Sequence, residues 1–308
     1  MLSFPLFQAS LRVSRRGRLV DHSCTITFTM QPTSPSRRWI SPKIQFISGL
    51  PRSGSTMLAA ILRQNTEFHA AMSGPVFGIV SAMLKSMSPR SENGGFISDC
   101  QRERLLHSAF ESFYEDLADR NLIFDTNRAW CGHMSLLTTL FPSARVICCV
   151  RSPAWIIDSI ERRVQAAPFP TEKMFPSDSA DSVYARAEYL LKKGMLALPL
   201  QVLRQAWYGE YAGSLIAIRY ESLTEHPAEV MQQLYVLLGQ PPFPHDFENL
   251  QYDEPEFDEK LGMPGLHQVR RSVEPNKRTT ILPPDLFSQN DRCFWDVPGQ
   301  NPRGVTVL

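Results

Sequence analysis

Residues 43–65 read KIQFISGLPRSGSTMLAAILRQN. KIQFISGL, residues 43–50, is a short β-rich apolar run, and STMLAAILRQN from Ser55 onward carries apolar residues that suit a helix. Between them lies a short loop holding Pro51, Arg52 and Gly54. Strand, glycine loop and helix in that order open a βαβ unit. The rest of the chain repeats the alternation. ARVICCVRSPAWIIDSIERRVQ has a continuous β run, a break at Ser152 and Pro153, and a helix with Trp155, Ile156, Ile157 and Ile160 on one face. NLIFDTNRAW (121–130) gives another strand, preceded by the amphipathic CQRERLLHSAFESFYEDLADR. GSLIAIRYESL gives a further strand, followed by a helix that Pro227 opens and Gly239 closes. Residues 182–207 read as one long helix. The expected fold is therefore α/β, a central parallel β-sheet flanked by helices, of P-loop nucleotide-binding type.

The expected domain organisation is a leader over 1–42, one domain over 43–297 and a tail over 298–308. The leader is rich in arginine and serine and poor in acids, and reads as either a targeting segment or a disordered stretch. Past residue 240 the pattern dissolves into Pro-, Asp- and Glu-rich sequence, in which DEPEFDEK reads as a solvated acidic loop and His267 as a packing residue.

Composition narrows the partners. With 308 residues, 43% of them apolar, and a formal charge of +1, no bulk field favours nucleic acid or a membrane surface, so any anion site must be local. The six cysteines show no metal-type spacing and read as reduced thiols of a cytoplasmic protein. No stretch approaches the ~20 apolar residues of a transmembrane helix.

The loop GLPRSGST has the glycines of the ATP and GTP loop, G-x-x-x-x-G-K-[ST], but Ser55 stands where the lysine would be, and the cation is Arg52, inside the loop. Helix N–H groups and the helix dipole still favour an anion there. Without the lysine that grips a polyphosphate with its metal, a smaller, metal-free anion fits better, held by backbone donors, hydroxyls and a forked guanidinium. Arg151 ends the strand RVICCV, with Ser159 eight positions on, and strand ends of an open α/β sheet converge on one crevice.

These two constellations carry a resemblance. FISGLPRSGSTMLAAIL resembles the 5′-phosphosulfate loop of sulfotransferases that use 3′-phosphoadenosine 5′-phosphosulfate (PAPS), and VICCVRSPAWIIDSIERR is similar to their 3′-phosphate motif. RYESLTEHPAEVMQQLYVLLG resembles a later strand and helix of the family, and GLHQVRRSVEPNKRTTILPPDLF the C-terminal loop of a bacterial branch related to tyrosylprotein sulfotransferases. The resemblance covers about residues 43–297. It implies that Arg52, Ser53, Gly54, Ser55 and Thr56 hold the 5′-phosphosulfate and Arg151 with Ser159 the 3′-phosphate. It further implies Tyr220 near the adenine and Ser272, Lys277 or Arg278 closing over the nucleotide. PAPS is the implied co-substrate, with no metal.

Two departures from the family pattern matter. Relatives carry a lysine at the strand end matching FDTNRAW, where this chain offers Thr126 or Arg128. Arg128 is the expected catalytic cation beside Arg52, its alternative being a structural arginine paired with Asp125. The glutamate of the tyrosylprotein branch is absent, and HAAMSGPVFG stands there. Glu67, His69, Asp125 and His133 are the nearby candidates for a general base. The expectation is transfer of a sulfonyl group from PAPS to a hydroxyl or amine. The alternatives are an inactive nucleotide-binding protein of the same fold and an atypical kinase or NTPase.

Overall fold

The protein is described by a computed structural model covering residues 43–166, 175–176, 181–252, 269–275, 277–297 and 299–308. The leader, the segment DEPEFDEK and His267 lie outside the described residues.

Six strands make one sheet: β1 (Lys43–Gly49), β2 (Phe68–Ala70), β3 (Leu122–Thr126), β4 (Val146–Val150), β5 (Leu215–Arg219) and β6 (Thr306–Val307). Their order is β2-β3-β1-β4-β5-β6, and every pairing is parallel. β3 and β4 are buried at every residue, because helices cover both faces of a parallel sheet and leave no wet side for alternation. The two buried clusters divide by strand face. Phe46, Ile123 and Cys148 belong to one, and Ile47, Phe124 and Cys149 to the other.

The second cluster is closed by α1 (Ser55–Leu62) and α9 (Pro227–Leu237). The first is closed by α2 (Val76–Ser86), α3 (Asp99–Phe113), α4 (Met134–Leu140), α5 (Pro153–Ala166), α6 (Val183–Lys192) and α7 (Ala197–Tyr208). The short α8 (Tyr220–Glu225) follows β5 directly, and α10 (Pro284–Asn290) packs against α5, with Phe287 edge-on to Trp155 at 5.1 Å.

The one long helix expected over 182–207 is two. The Gly194 N–H reaches back five residues to the Tyr189 carbonyl at 2.6 Å, Leu196 N–H reaches Leu190, and the chain re-enters a helix at Ala197. A Cβ on Gly194 would stand 2.9 Å from the Leu190 Cα, so this turn needs glycine. The expected tail holds β6: Leu308 N–H donates to the Ala217 carbonyl and Arg219 N–H to Leu308 O, extending the sheet beyond β5.

β1 is central, with β3 on one side and β4 on the other. The chain leaves β1 for β2 and β3, then crosses to β4. The switch point thus falls between the carboxyl ends of β1 and β4, where ligands of open α/β sheets sit.

Candidate anion and acceptor cleft

At that switch point lies a cavity of about 500 Å³. Its floor is the loop after β1. Gly49 pairs with Cys149 of β4, and a Cβ there would meet the Cys149 carbonyl oxygen at 3.0 Å. The Ser53 hydroxyl, buried, is held by the carbonyls of Leu50 (2.6 Å) and Cys149 (2.8 Å), which ties the loop to β4. Arg52 takes a left-handed backbone with φ 60°, uncommon for a residue with a side chain, and Gly54 follows at φ 95°. Strained backbone of this kind is characteristic of ligand clamps. The first intrahelical bond runs from Leu58 N–H to Gly54 O at 2.9 Å, so the N–H groups of Ser55, Thr56 and Met57 head α1 without intrahelical partners.

Arginines gather on this frame. Arg151, 7% exposed, donates from Nη1 to the Arg52 carbonyl at 3.3 Å and lies 4.0 Å over the Tyr220 ring. Its Nε finds no hydrogen-bond partner among the described residues, and a Glu221 oxygen stands 3.8 Å away. Arg52 donates from Nε to the Ser159 hydroxyl at 3.3 Å. Its pKa falls below the ordinary arginine value, first through burial and then through the positive charges of Arg163, Arg151 and Arg278. The Arg151 pKa is lowered too, chiefly by burial. Cations held this close to one another are an arrangement that an anion relieves.

Arg278 arrives from the far end of the chain, and a single carboxylate brings it. Asp158 on α5 is fully buried. It pairs with Arg278 at 2.6 Å and Arg162 at 3.1 Å, and accepts from the Thr280 hydroxyl and the Ile281 N–H. Burial pushes its pKa up, but the Ile281 N–H, the two guanidinium groups and the Thr280 hydroxyl outweigh it and hold the carboxyl below its usual range. Sequence reasoning singled out neither Asp158 nor Arg163. The available signal was helical spacing: Arg163 is four residues past Ser159, on the same face of α5.

Among the expected site residues, Arg52, Gly54, Ser55, Thr56, Arg128, Arg151, Ser159, Tyr220, Ser272 and Arg278 line the cavity. Two do not. The Ser53 hydroxyl is committed to the two carbonyls, leaving its backbone as the part of it that can meet an anion. Lys277 is exposed and lies off the wall. The register question at the end of β3 has a double answer, since Thr126 and Arg128 both line the cleft. Arg128 does not pair with Asp125, the suggested structural partner. Asp125 is buried and accepts from the Tyr114 hydroxyl (2.6 Å) and the Trp130 indole (2.7 Å), and burial raises its pKa against those two bonds. Arg128 is exposed towards the cleft, and desolvation by the surrounding protein lowers its pKa.

None of Glu67, His69, Asp125 and His133 is on the wall. His69 and His133 both have pKa values lowered by burial. His69 sits beside the Tyr114 ring and His133 edge-on to Phe77, as packing residues.

A parallel α/β sheet with a lysine-free glycine loop and an arginine cluster at its switch point is an arrangement whose chemistry suits a compact anion. The sequence profile of the Sulfotransferase family matches residues 45–245, and the chain belongs to that family. Nodulation protein NoeE of Sinorhizobium fredii (strain NBRC 101917 / NGR234) is 28% identical over 226 residues, which are 65% of this chain and 51% of that protein. The chain thus spans about half the length of that curated relative. Among solved structures, a sulfotransferase domain from the curacin biosynthetic pathway aligns over 85% of this chain and 95% of its own at 19% identity, TM-score 0.47. A sulfotransferase from Alicyclobacillus acidocaldarius aligns over 71% of this chain and 89% of its own at 16% identity, TM-score 0.42.

Proposed function

We propose that the protein transfers a sulfonyl group from PAPS to an acceptor oxygen or nitrogen, releasing adenosine 3′,5′-bisphosphate. The observation that carries this reading is the convergence of Arg52, Arg128, Arg151 and Arg278 on one cleft, whose wall carries one carboxylate among the described residues, that of Glu274. The N–H groups heading α1 and the hydroxyls of Ser55 and Thr56 suit a 5′-phosphosulfate. Arg151 and Ser159 suit a 3′-phosphate, with the Tyr220 ring beside them for a base. The bound donor supplies an activated sulfonyl group on a phosphate leaving group.

The protein's own residues then do three things. Arg52 and Arg128 stabilise negative charge developing on the leaving oxygen, as preformed dipoles and cations do in phosphoryl transfer, without a metal. The α1 N-terminus orients the anion. Asp158 holds Arg278 over it, narrowing the access of water.

An NTPase is disfavoured on a specific point. Asp125, the acid at the end of β3, has its oxygens taken by Tyr114 and Trp130. The alternative of an inactive binding protein draws on the wall's lack of all four base candidates. The test is a thermal-shift titration with adenosine 3′,5′-bisphosphate against ATP with Mg²⁺, followed by an assay of PAPS turnover. Stabilisation by the bisphosphate with turnover supports the enzyme, stabilisation without turnover the binding protein, and stabilisation by ATP alone contradicts both.

A further inference from the structure

The wall of the cleft changes character across β1. On the β4–β5 side it is Arg151, Ser159, Tyr220 and Arg278; on the β2–β3 side it is Met72, Ser73, Thr126, Asn127 and Arg128, with Met57 and Met195 also reaching the cavity. Met57 and Met72 come from one layer of the fold and Met195 from the other, so thioethers approach the cavity from both faces of the sheet. Methionine side chains are flexible and polarisable and adapt to apolar bodies of varied shape.

One polar group stands out among them. Thr126 is 6% exposed, and its Oγ1 has no hydrogen-bond partner among the described residues. Buried hydroxyls are nearly always bonded, so one left unpaired on a cavity wall marks a place where a ligand completes the bond. The charges exclude one class of ligand. Glu274 is the sole acid on the wall among the described residues, so an ammonium would enter beside Arg52 and Arg128 with little opposite charge.

We propose that the acceptor binds over the β2–β3 end, is an uncharged alcohol on an apolar body, and has its hydroxyl positioned by Thr126 Oγ1 with its body against Met57, Met72 and Met195. This rests on the sulfotransferase reading and narrows it. In the transfer the acceptor oxygen bonds to sulfur as the bond from sulfur to the 5′-phosphate oxygen breaks. The phosphate leaves with the electron pair, and the hydroxyl proton passes to solvent.

The test offers the full chain PAPS with 1-octanol, octylamine or methyl glucoside and measures sulfonyl transfer. The expected kcat/KM for 1-octanol exceeds both others by about tenfold or more, the scale on which pockets separate apolar from polar bodies. Thr126→Val raises the KM for 1-octanol by about tenfold, as loss of one hydrogen bond does. It leaves bisphosphate affinity unchanged and does not lower the melting temperature, because the deleted hydroxyl has no partner to lose. Met195→Gln, at a half-buried loop position, weakens 1-octanol alone. Equal or better transfer to octylamine or the glucoside, no transfer to 1-octanol, or an unchanged KM in Thr126→Val overturns the inference while donor binding stands. Failure of the wild type to bind the bisphosphate brings down the sulfotransferase reading, and this inference with it.

Discussion

The two sides of the cleft are built by different means. The β4–β5 side is assembled from distant pieces of chain, with Arg52 meeting Ser159 across 107 positions and Asp158 meeting Thr280 across 122. Its cations are fixed by carbonyls, a buried carboxylate and an aromatic face. The β2–β3 side is local, made from two strand ends and their loops; it carries Ser73, Thr126, Asn127 and Arg128 beside Met72, with Met57 and Met195 reaching the same cavity. A rigid charged half suits a ligand that never varies, and a half with adaptable thioethers suits a partner that varies.

The largest effect that would break this contrast is expected at Arg151. Arg151→Met keeps an apolar contact with Tyr220 but removes the charge-assisted bonds, each worth about 1.5–3 kcal/mol. Bisphosphate affinity should fall about a hundredfold by calorimetry, with the ligand-free protein no less stable, since the lost cation is buried and crowded. A parallel loss of stability would mean that Arg151 is structural.

Next comes Asp158, which joins the C-terminal segment to α5. Asp158→Asn leaves Arg278 and Arg162 without their counter-charge and should cost about 3 kcal/mol or more, the usual result of breaking a buried pair. The pH dependence has a fixed sign. The folded pKa lies below the unfolded value near 3.9, so the stabilisation is complete above that value and is lost as pH falls through the folded pKa. Denaturation curves of Asp158→Asn should therefore be flatter than wild type on the acid side below about pH 4. An identical acid limb would remove Asp158 from the account.

A smaller effect is expected at Gly54. Its φ of 95° and the 3.1 Å separation of a built Cβ from Tyr220 Cδ2 place Gly54→Ala under strain of about 1–2 kcal/mol, visible as a few degrees of melting temperature. The smallest is Asp125→Asn. Burial raises the Asp125 pKa, so its charged form penalises the fold increasingly as pH rises from the unfolded value through the folded one. The amide keeps an acceptor for Trp130 or Tyr114, and the variant's stability relative to wild type should improve across that window.

The charged half was largely legible in the sequence and the other half was not. Arg52, Arg151 and Ser159 announce themselves because a glycine loop and a strand-end arginine have few purposes. The alternation of β runs and helices likewise gave the parallel sheet. Asp158 was hidden because nothing local distinguishes a carboxylate that binds a segment 120 positions away from one that faces solvent. Thr126 offers no cation where relatives carry a lysine, and only packing reveals that its hydroxyl is buried and has no partner among the described residues. The helix break at Gly194 was missed because helical periodicity continues on both sides of it, and β6 because two residues are too few to show a pattern. Ser53 reads as a ligand residue from the loop pattern, but that its hydroxyl anchors the loop and leaves only its backbone for an anion depends on the Cys149 carbonyl of the neighbouring strand.

The central claim is that the arginine cluster is a site for adenosine 3′,5′-bisphosphate, and calorimetric titration of the wild type with that ligand, in parallel with adenosine 5′-monophosphate and ATP with Mg²⁺, tests it most directly. The account predicts tight binding of the bisphosphate and much weaker binding of the monophosphate, which lacks the group that Arg151 and Ser159 would hold. Equal affinity for the two, or preference for ATP with Mg²⁺, would contradict it.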